Sequence, residues 1–364
     1  MANPAFIALG DLHLDFYIWR KFKQVKGDSF LGFTSLINRG IALGVPVVLV
    51  GDIFDTVEPD PAIIRFFRRE MDRCRDNDVE VYAIQGNHDR RPIPWYSAVH
   101  DWPIHIGDGE EVDINGIGCV AFDNMTRDKI EDAIMSLRDC VPKPDVLFLH
   151  QAVRQMLSFE GAWNCDLDWI PEGIPATIMG DIHKEWEHKI REGQKAYYTG
   201  SSHPREAPEI GSKSCIVVND DLSVERLPID YRPMTKLYVR SDKELEDLRS
   251  WVNEAVESNP KLPPFAWVVA SPEKESDILE FRESFEDGSV IIITEPFTFK
   301  DDIEDPIVDD EECLSIEALL SRFFDPDEEP KSYSFAADLL GQSKSVLDVI
   351  GERRDQFYQE TEGS

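Results

Sequence analysis

Positive charge is what this sequence most lacks. Its 38 Lys and Arg stand against 71 Asp and Glu, a formal charge of −33 over 364 residues. That balance excludes the class of proteins that coat nucleic acid through bulk positive charge. Long apolar runs are missing as well. The best, Ile41–Val50, stops far short of the roughly 18–20 residues a membrane span needs, so no membrane role is expected. The N-terminus enters the apolar run Ala5–Leu9 without a basic stretch or cleavage site, so no signal peptide is expected. Six cysteines (Cys74, Cys119, Cys140, Cys165, Cys215 and Cys313) form no C-x-x-C pair and no dense framework. This points away from structural disulfides and zinc ribbons, toward reduced thiols in a cytoplasmic protein. P-loop, G-x-S-x-G and H-E-x-x-H patterns are also absent, which removes three common catalytic classes.

What is present belongs to a folded chain: 42% of residues are hydrophobic and 10% aromatic, enough for a substantial core. The acidity is uneven, with 19 acids against 5 bases in the last 64 residues. Bases cluster locally at Arg20, Lys21, Lys23 and Lys26, and at Arg65, Arg68, Arg69, Arg73 and Arg75. Such clusters are either solvated faces or phosphate-contacting surface.

Short β-rich runs recur, each followed by polar residues: Ala5–Leu9 before GDLH, Val47–Val50 before GDIFD, Val79–Ile84 before QGNHD, Val146–Leu149 before HQ, and Thr177–Met179 before GDIH. Ile63, Phe66, Phe67 and Met71 predict a helix over Ala62–Cys74. Strands alternating with helices predict an α/β fold. Polar residues just past strand C-termini are where such sheets build their sites. The later strands Ala196–Tyr198, Ser214–Val218 and Val224–Ile229 lack long helices between them, which predicts mixed sheets. A second α/β unit begins near Tyr231, with strands at Thr235–Val239, Phe265–Ala270 and Val290–Thr294 and helices at Asp242–Glu257 and Ile278–Phe285. The expected organisation is therefore 1–230, a small unit at 231–298, an acidic linker at 299–312 and a helical tail at 313–364. In that tail Phe335, Leu339, Val346, Ile350 and Phe357 repeat close to one apolar face.

The strand-end clusters carry the chemistry. Singly, Gly-Asp is a turn, Asn and Asp cap helices, and a strand-end His is merely hydrogen-bonded. Together, Asp11, His13, Asp52, Asn87, His150, Asp181 and His183 would converge on one rim. Three Asp carboxylates that close would repel, and some would stay protonated, unless cations neutralised them. Oxygen and nitrogen donors without thiolate favour manganese, iron, magnesium or zinc. Seven ligands are too many for one ion and suit two. Such a pair, about 3.5–4 Å apart, clamps a phosphoryl group and activates water.

At these residues the sequence resembles the calcineurin-like metallophosphoesterase superfamily, whose pattern runs D-x-H, G-D-x-x-[DH], G-N-H-[DE], a lone His, then G-H-x-H. Within it, GDLH, GDIFD, QGNHD, FLHQ, GDIHK and YYTGSSHP are similar in order and spacing to SbcD-type DNA double-strand-break repair nucleases of bacteria and phages. The resemblance implies a four-layer sandwich of two mixed β-sheets flanked by helices, with a small α/β capping domain for DNA and a helical C-terminal tail. It implies two divalent ions, Mn2+ or else Mg2+. Asp11, His13 and His183 would hold one, Asn87, His150 and Asp181 the other, and Asp52 would bridge. His88 would contact the scissile phosphate and Asp89 would orient its imidazole. Asp55, Arg90 and His203 would lie toward the substrate, Asp55 in a structural rather than ligating part.

One residue departs from the pattern. Asp181 stands where the superfamily has the first His of G-H-x-H. Three carboxylates facing two divalent ions leave +1 instead of +2, which would weaken phosphate attraction and favour oxygen-loving cations. Alternatively, water takes the ligand position and Asp181 stands behind it. The implied activity is metal-dependent hydrolysis of DNA phosphodiesters, as exonuclease or endonuclease, in repair and recombination. Implied partners are DNA, an SbcC-type SMC-like coiled-coil ATPase docked on the tail, and a second copy of the chain. The implied compartment is the cytosol of a bacterium or a phage-infected host. Two other readings stay open: a phosphoesterase acting on a nucleotide or phosphoprotein, and a non-catalytic scaffold on the same fold.

Overall fold

Side-chain alternation in the first strand decides the layering. In the strand Pro4–Leu9, Ile7 and Leu9 pack into one core and Phe6 and Ala8 into another, the two-residue period of β structure. Ile7 and Leu9 meet Phe33, Leu36 and Ile37 of the helix Asp28–Leu43 and Phe67 and Met71 of the helix Pro61–Asp76. Phe6 and Ala8 meet Cys119, Phe148 and Ile178 of a second sheet. On that sheet's far face, Leu147, Leu149 and Met179 pack on Ile130 and Ile134 of the helix Arg127–Ser136. The layers are helix, sheet, sheet, helix. The computed structural model describes residues 2–19, 21–157, 161–285 and 288–296; the linker and helical tail expected at 299–364 lie outside the described residues.

Both sheets are mixed, as expected. The first runs Val224–Pro228, Ser214–Asn219, Pro4–Leu9, Val47–Val50, Val81–Ile84 and Ile104–His105, with its first two pairings antiparallel and the rest parallel. The second runs Asp108–Ile114, Ile117–Phe122, Val146–His150, Ala176–Gly180, Gln194–Tyr198 and Trp186–Arg191, parallel except at its two outer pairings. The apolar run Ile41–Val50 is not one element. Gly44, at φ 65°, ends the preceding helix by donating its N–H back to Gly40 and Ile41, and the strand starts at Val47. Asp60 starts the helix Pro61–Asp76, its Oδ1 accepting from the Ala62 N–H at 2.7 Å, with Pro61 in the first turn.

Residues 234–296 form a three-stranded parallel sheet, Met234–Val239, Phe265–Ala270 and Ile291–Pro296, with the helices Asp242–Glu257 and Glu275–Glu283. The longer helix opens on a capping box: Ser241 Oγ accepts from the Glu244 N–H at 3.3 Å and donates to the Glu244 carboxylate at 3.0 Å. Arg232 ties this unit to the larger sheets. Fully buried, its guanidinium grips both Asp28 oxygens at 2.7 and 3.1 Å and donates to the carbonyls of Lys26 and Pro263. Among the described residues no helix is long and apolar enough to cross a membrane.

Candidate metal centre

Parallel strands from both sheets end at one rim, and the turns that follow them interlock. The Asp11 N–H donates to the Gly51 carbonyl at 3.1 Å and the His13 N–H to the Asp52 carbonyl at 2.8 Å, joining the first two clusters. The Asp181 N–H donates to the Asp11 carboxylate at 3.1 Å, and the His88 N–H to Asp52 Oδ1 at 2.9 Å. These turns are too tight for an ordinary backbone. Asp11, His13, Asp52 and Asp181 all have positive φ, at 51°, 39°, 50° and 97°. Two glycines make room. A Cβ on Gly51 (φ +81°) would lie 2.2 Å from the His150 ring, and one on Gly86 would lie 2.0 Å from Asp52 Oδ1.

All seven expected ligands come together. His13 Nε2 lies 3.1 Å from His183 Nε2, 3.5 Å from Asp52 Oδ2 and 3.9 Å from Asp11 Oδ1. His183 Nε2 is 3.8 Å from the same Asp11 oxygen. On the other side His150 Nε2 is 3.2 Å from Asn87 Oδ1, 3.5 Å from Asp52 Oδ1 and 3.8 Å from Asp181 Oδ1. Asp52 thus turns one oxygen toward each group. Donor atoms lie within 4.8 Å of one another in the sets Asp11–His13–His183, His13–Asp52–His88 and Asp11–Asp52–His150. Asp181 lies at the edge of the cluster, in none of these three.

The histidines are oriented from behind. His150 Nδ1 faces the Val50 carbonyl at 2.7 Å, His183 Nδ1 faces Glu209 Oε1 at 2.7 Å, and His88 Nδ1 faces the Asp55 carbonyl at 2.6 Å. His13 Nδ1 lies 3.4 Å from Asp55 Oδ1. The acceptors behind Nδ1 of His150, His183 and His88 place the proton there and leave Nε2 for a ligand or proton in front, whereas His13 Nδ1 is buried without a hydrogen bond among the described residues.

The remaining expected residues divide. Asp55 is buried and paired with Arg205, its Oδ1 accepting from the guanidinium at 2.7 Å. Arg90 is exposed beside the site, donating to Asn124 at 2.6 Å. His203 is buried, its Nδ1 2.8 Å from Ser202 Oγ. Asp89 requires a correction. Its carboxylate accepts from the N–H groups of Ile53 (3.0 Å), Phe54 (3.1 Å) and Gly86 (3.2 Å), while the Asp55 carbonyl holds the His88 ring. Three unpaired backbone donors around a tight turn outcompete one imidazole for that carboxylate. Three residues outside the motifs complete the site. Glu209 sits behind His183, Arg205 lies between His13 and Asp55, and Asn124 donates to the His150 carbonyl at 2.7 Å. Only their place in the fold marks them; no spacing in the sequence does.

Burial sets the electrostatics. It pushes Asp11 up to about 7, with Asp52 and Asp181 adding repulsion against the pull of His150 and His183. Asp181 is raised by burial too. Burial would also raise Asp52, but His150, His13 and the His88 N–H outweigh it and hold it below the usual carboxylate range. His13 is lowered to about 4 by burial. Burial opposes the charge on His150 and His183, yet Asp52 raises the first and Glu209 the second. A buried carboxylate pushed up to about 7 beside two others is a site short of positive charge. Its oxygen and nitrogen donors, with no thiolate, fit hard or borderline divalent cations. Asp11, His13, Asp52, Asn87, His150, Asp181 and His183 would hold them.

Comparison with known proteins agrees with the geometry. The calcineurin-like phosphoesterase family matches residues 4–167. A DNA double-strand break repair protein Mre11 of Sulfurisphaera tokodaii is 21% identical over 91% of this chain and 89% of its own length. One of Saccharolobus solfataricus is 25% identical over 53% of each chain. An uncharacterized metallophosphoesterase of Bacillus subtilis, YhaO, is 25% identical over 62% of this chain and 60% of its own. The domain is that of a metal-dependent phosphoesterase. By its motifs, its layered fold and these matches, residues 4–167 are a calcineurin-like phosphoesterase domain, and the chain as a whole is similar to the Mre11 repair proteins.

Proposed function

We propose that the protein is a two-metal DNA nuclease that hydrolyses phosphodiester bonds, with manganese as its working cation. The observation that carries this reading is the convergence of His13 Nε2 and His150 Nε2 on the two oxygens of Asp52, each at 3.5 Å, with His183 Nε2 3.1 Å from His13 Nε2. Two divalent ions held there would supply water activation and neutralise charge developing on the phosphoryl oxygens.

The protein's own part is orientation and proton handling. Asp52 separates the two donor groups, and Glu209 and the Val50 carbonyl fix the His183 and His150 rings so that their donor atoms need no reorganisation. His88, whose Nδ1 is held by the Asp55 carbonyl, turns Nε2 to the site, from which the doubly protonated ring would give a proton to the departing 3′-oxygen. Asp89 shapes the turn that carries both Asp52 and His88. The kinship with double-strand break repair proteins supports DNA as substrate. Residues 231–298 would then cap the DNA, and the tail at 313–364 would dock an SMC-like coiled-coil ATPase. A second copy of the chain is a further partner of this reading.

The test is cleavage of blunt, nicked and single-stranded DNA by purified protein with manganese or magnesium, with free nucleotides as competing substrates. Cleavage should need the metal and fall at least about 100-fold in His88→Ala and Asp52→Ala. Robust DNA cleavage by either variant, or activity confined to nucleotides, would overturn the assignment.

A further inference from the structure

We propose that Arg205 is the phosphate-gripping residue of this centre, and that without metal its guanidinium occupies the position on His13 that a cation takes. The inference rests on the phosphoesterase reading and adds to it a substrate-binding residue outside the five motifs. One guanidinium nitrogen lies 2.9 Å from His13 Nε2 and the other 2.7 Å from Asp55 Oδ1. Arginine only donates, so His13 Nε2 must accept, which leaves the proton of that neutral ring on Nδ1, 3.4 Å from Asp55 Oδ1. The accepting lone pair is the one a cation needs. It also faces His183 Nε2 at 3.1 Å, so a cation entering between the two rings meets the guanidinium in its way.

A displaced guanidinium has somewhere to go. Arg205 and His183 line a cavity of about 580 Å³ together with Lys21 and Trp267. The Arg205 backbone stays anchored, its N–H donating to Glu209 Oε2 at 2.7 Å, while the long side chain is free to turn about that point. The same Glu209 orients His183, so the arginine is tied to the metal-facing side of the site.

The charge count gives the arginine a purpose. Asp11, Asp52, Asp55 and Asp181 carry four negative charges, which two divalent cations only cancel. Arg205 then supplies the net positive charge a phosphate requires, and its planar fork matches two phosphoryl oxygens. A lysine in the same place could give the charge but not the fork.

The deciding experiment titrates manganese alone into metal-free wild type, Arg205→Met and Arg205→Lys by calorimetry, then inorganic phosphate into the metal-loaded proteins. Arg205→Met should bind manganese about 3–10-fold tighter, because a competing cation is gone. It should bind phosphate at least about tenfold more weakly. Arg205→Lys should restore part of the phosphate binding, and it carries both measurements if the methionine variant does not fold. Unchanged or weaker manganese binding, or undiminished phosphate binding, overturns the proposal and makes Arg205 a structural tie for Asp55. Neither measurement uses DNA, so a wild type that cleaves no DNA counts against the nuclease assignment while these bindings still decide Arg205.

Discussion

Metal affinity should depend steeply on pH between 6 and 8, and the dependence follows from which groups hold protons before metal arrives. Burial pushes Asp11 up to about 7, so lowering the pH from 8 to 6 takes it from mostly ionised to mostly protonated. A cation competing with that proton loses about tenfold in affinity over the interval, or about 1.4 kcal/mol, from this residue alone. His150 and His183 are raised, so their protons must also leave and the slope steepens. His13, lowered to about 4, is already neutral, and Asp52, held low, is already ionised; neither adds to the slope.

Stability should follow the same proton. A carboxyl raised above its unfolded value stabilises the metal-free fold below the unfolded pKa, and that contribution is lost as pH rises toward 7. Manganese should therefore raise the unfolding temperature more at pH 8 than at pH 6. Calorimetric titration at pH 6, 7 and 8, in buffers of different ionisation heat, gives affinity and proton release together. A dissociation constant constant within threefold across that range, with no proton released, would refute the argument.

Three further outcomes are expected. Glu209→Gln keeps the shape behind His183 but removes the charge that fixes its Nδ1–H, so manganese affinity should fall about tenfold with little change in unfolding temperature; a calorimetric titration reads it. Asp28→Ala leaves the Arg232 guanidinium buried without its carboxylate, which should cost about 3–5 kcal/mol in urea unfolding; a loss under about 1 kcal/mol would show that the carbonyls of Lys26 and Pro263 suffice. Asp181→His removes one carboxylate from the centre, so preference should move from manganese toward zinc and the pH–rate profile should shift to lower pH. Identical metal preference and profile would show that Asp181 stands behind a water instead.

The sequence was most readable where apolar runs end abruptly. The strands that lead to the candidate ligands, such as Val47–Val50 or Val146–His150, are buried to their C-terminal ends, so their boundary with polar residues is sharp. The edge strands Asp108–Ile114 and Trp186–Arg191 have no such boundary, because part of each faces water. The helix Asp28–Leu43 carries its signal in Phe33, Leu36 and Ile37, but the apolar residues run on past Gly44 and blur its end. Asp242–Glu257 has a capping box and one apolar face, and its limits match the sequence reading residue for residue. Within the site, the candidate ligands were legible because short motifs bring them to successive strand ends. Asp89 misled because a carboxylate beside a histidine in sequence need not touch its ring.

The groups behind the ligands share one property that explains their silence in the sequence: each acts on a residue far away along the chain. Glu209 reaches His183 across 26 residues, His150 reaches the Val50 carbonyl across 100, and Arg205 reaches His13 across 192. Contacts at such separations leave no spacing to read, whereas D-x-H and G-N-H-D are written by one turn each. Backbone strain marks the same division. Asp11, His13, Asp52 and Asp181 sit at positive φ, a conformation that costs on the order of 1 kcal/mol or more each for residues other than glycine. Aspartate tolerates it better than most, because its short side chain can bond locally. The interlocked turns, bonded to one another at 2.8–3.1 Å, hold these residues there. The strain is thus balanced by contacts between clusters that stand far apart in sequence. A chain in which one cluster was altered should relax the others as well, so Gly51→Ala, set against the His150 ring, should disturb the metal-binding face around Asp52 as much as deleting a ligand does.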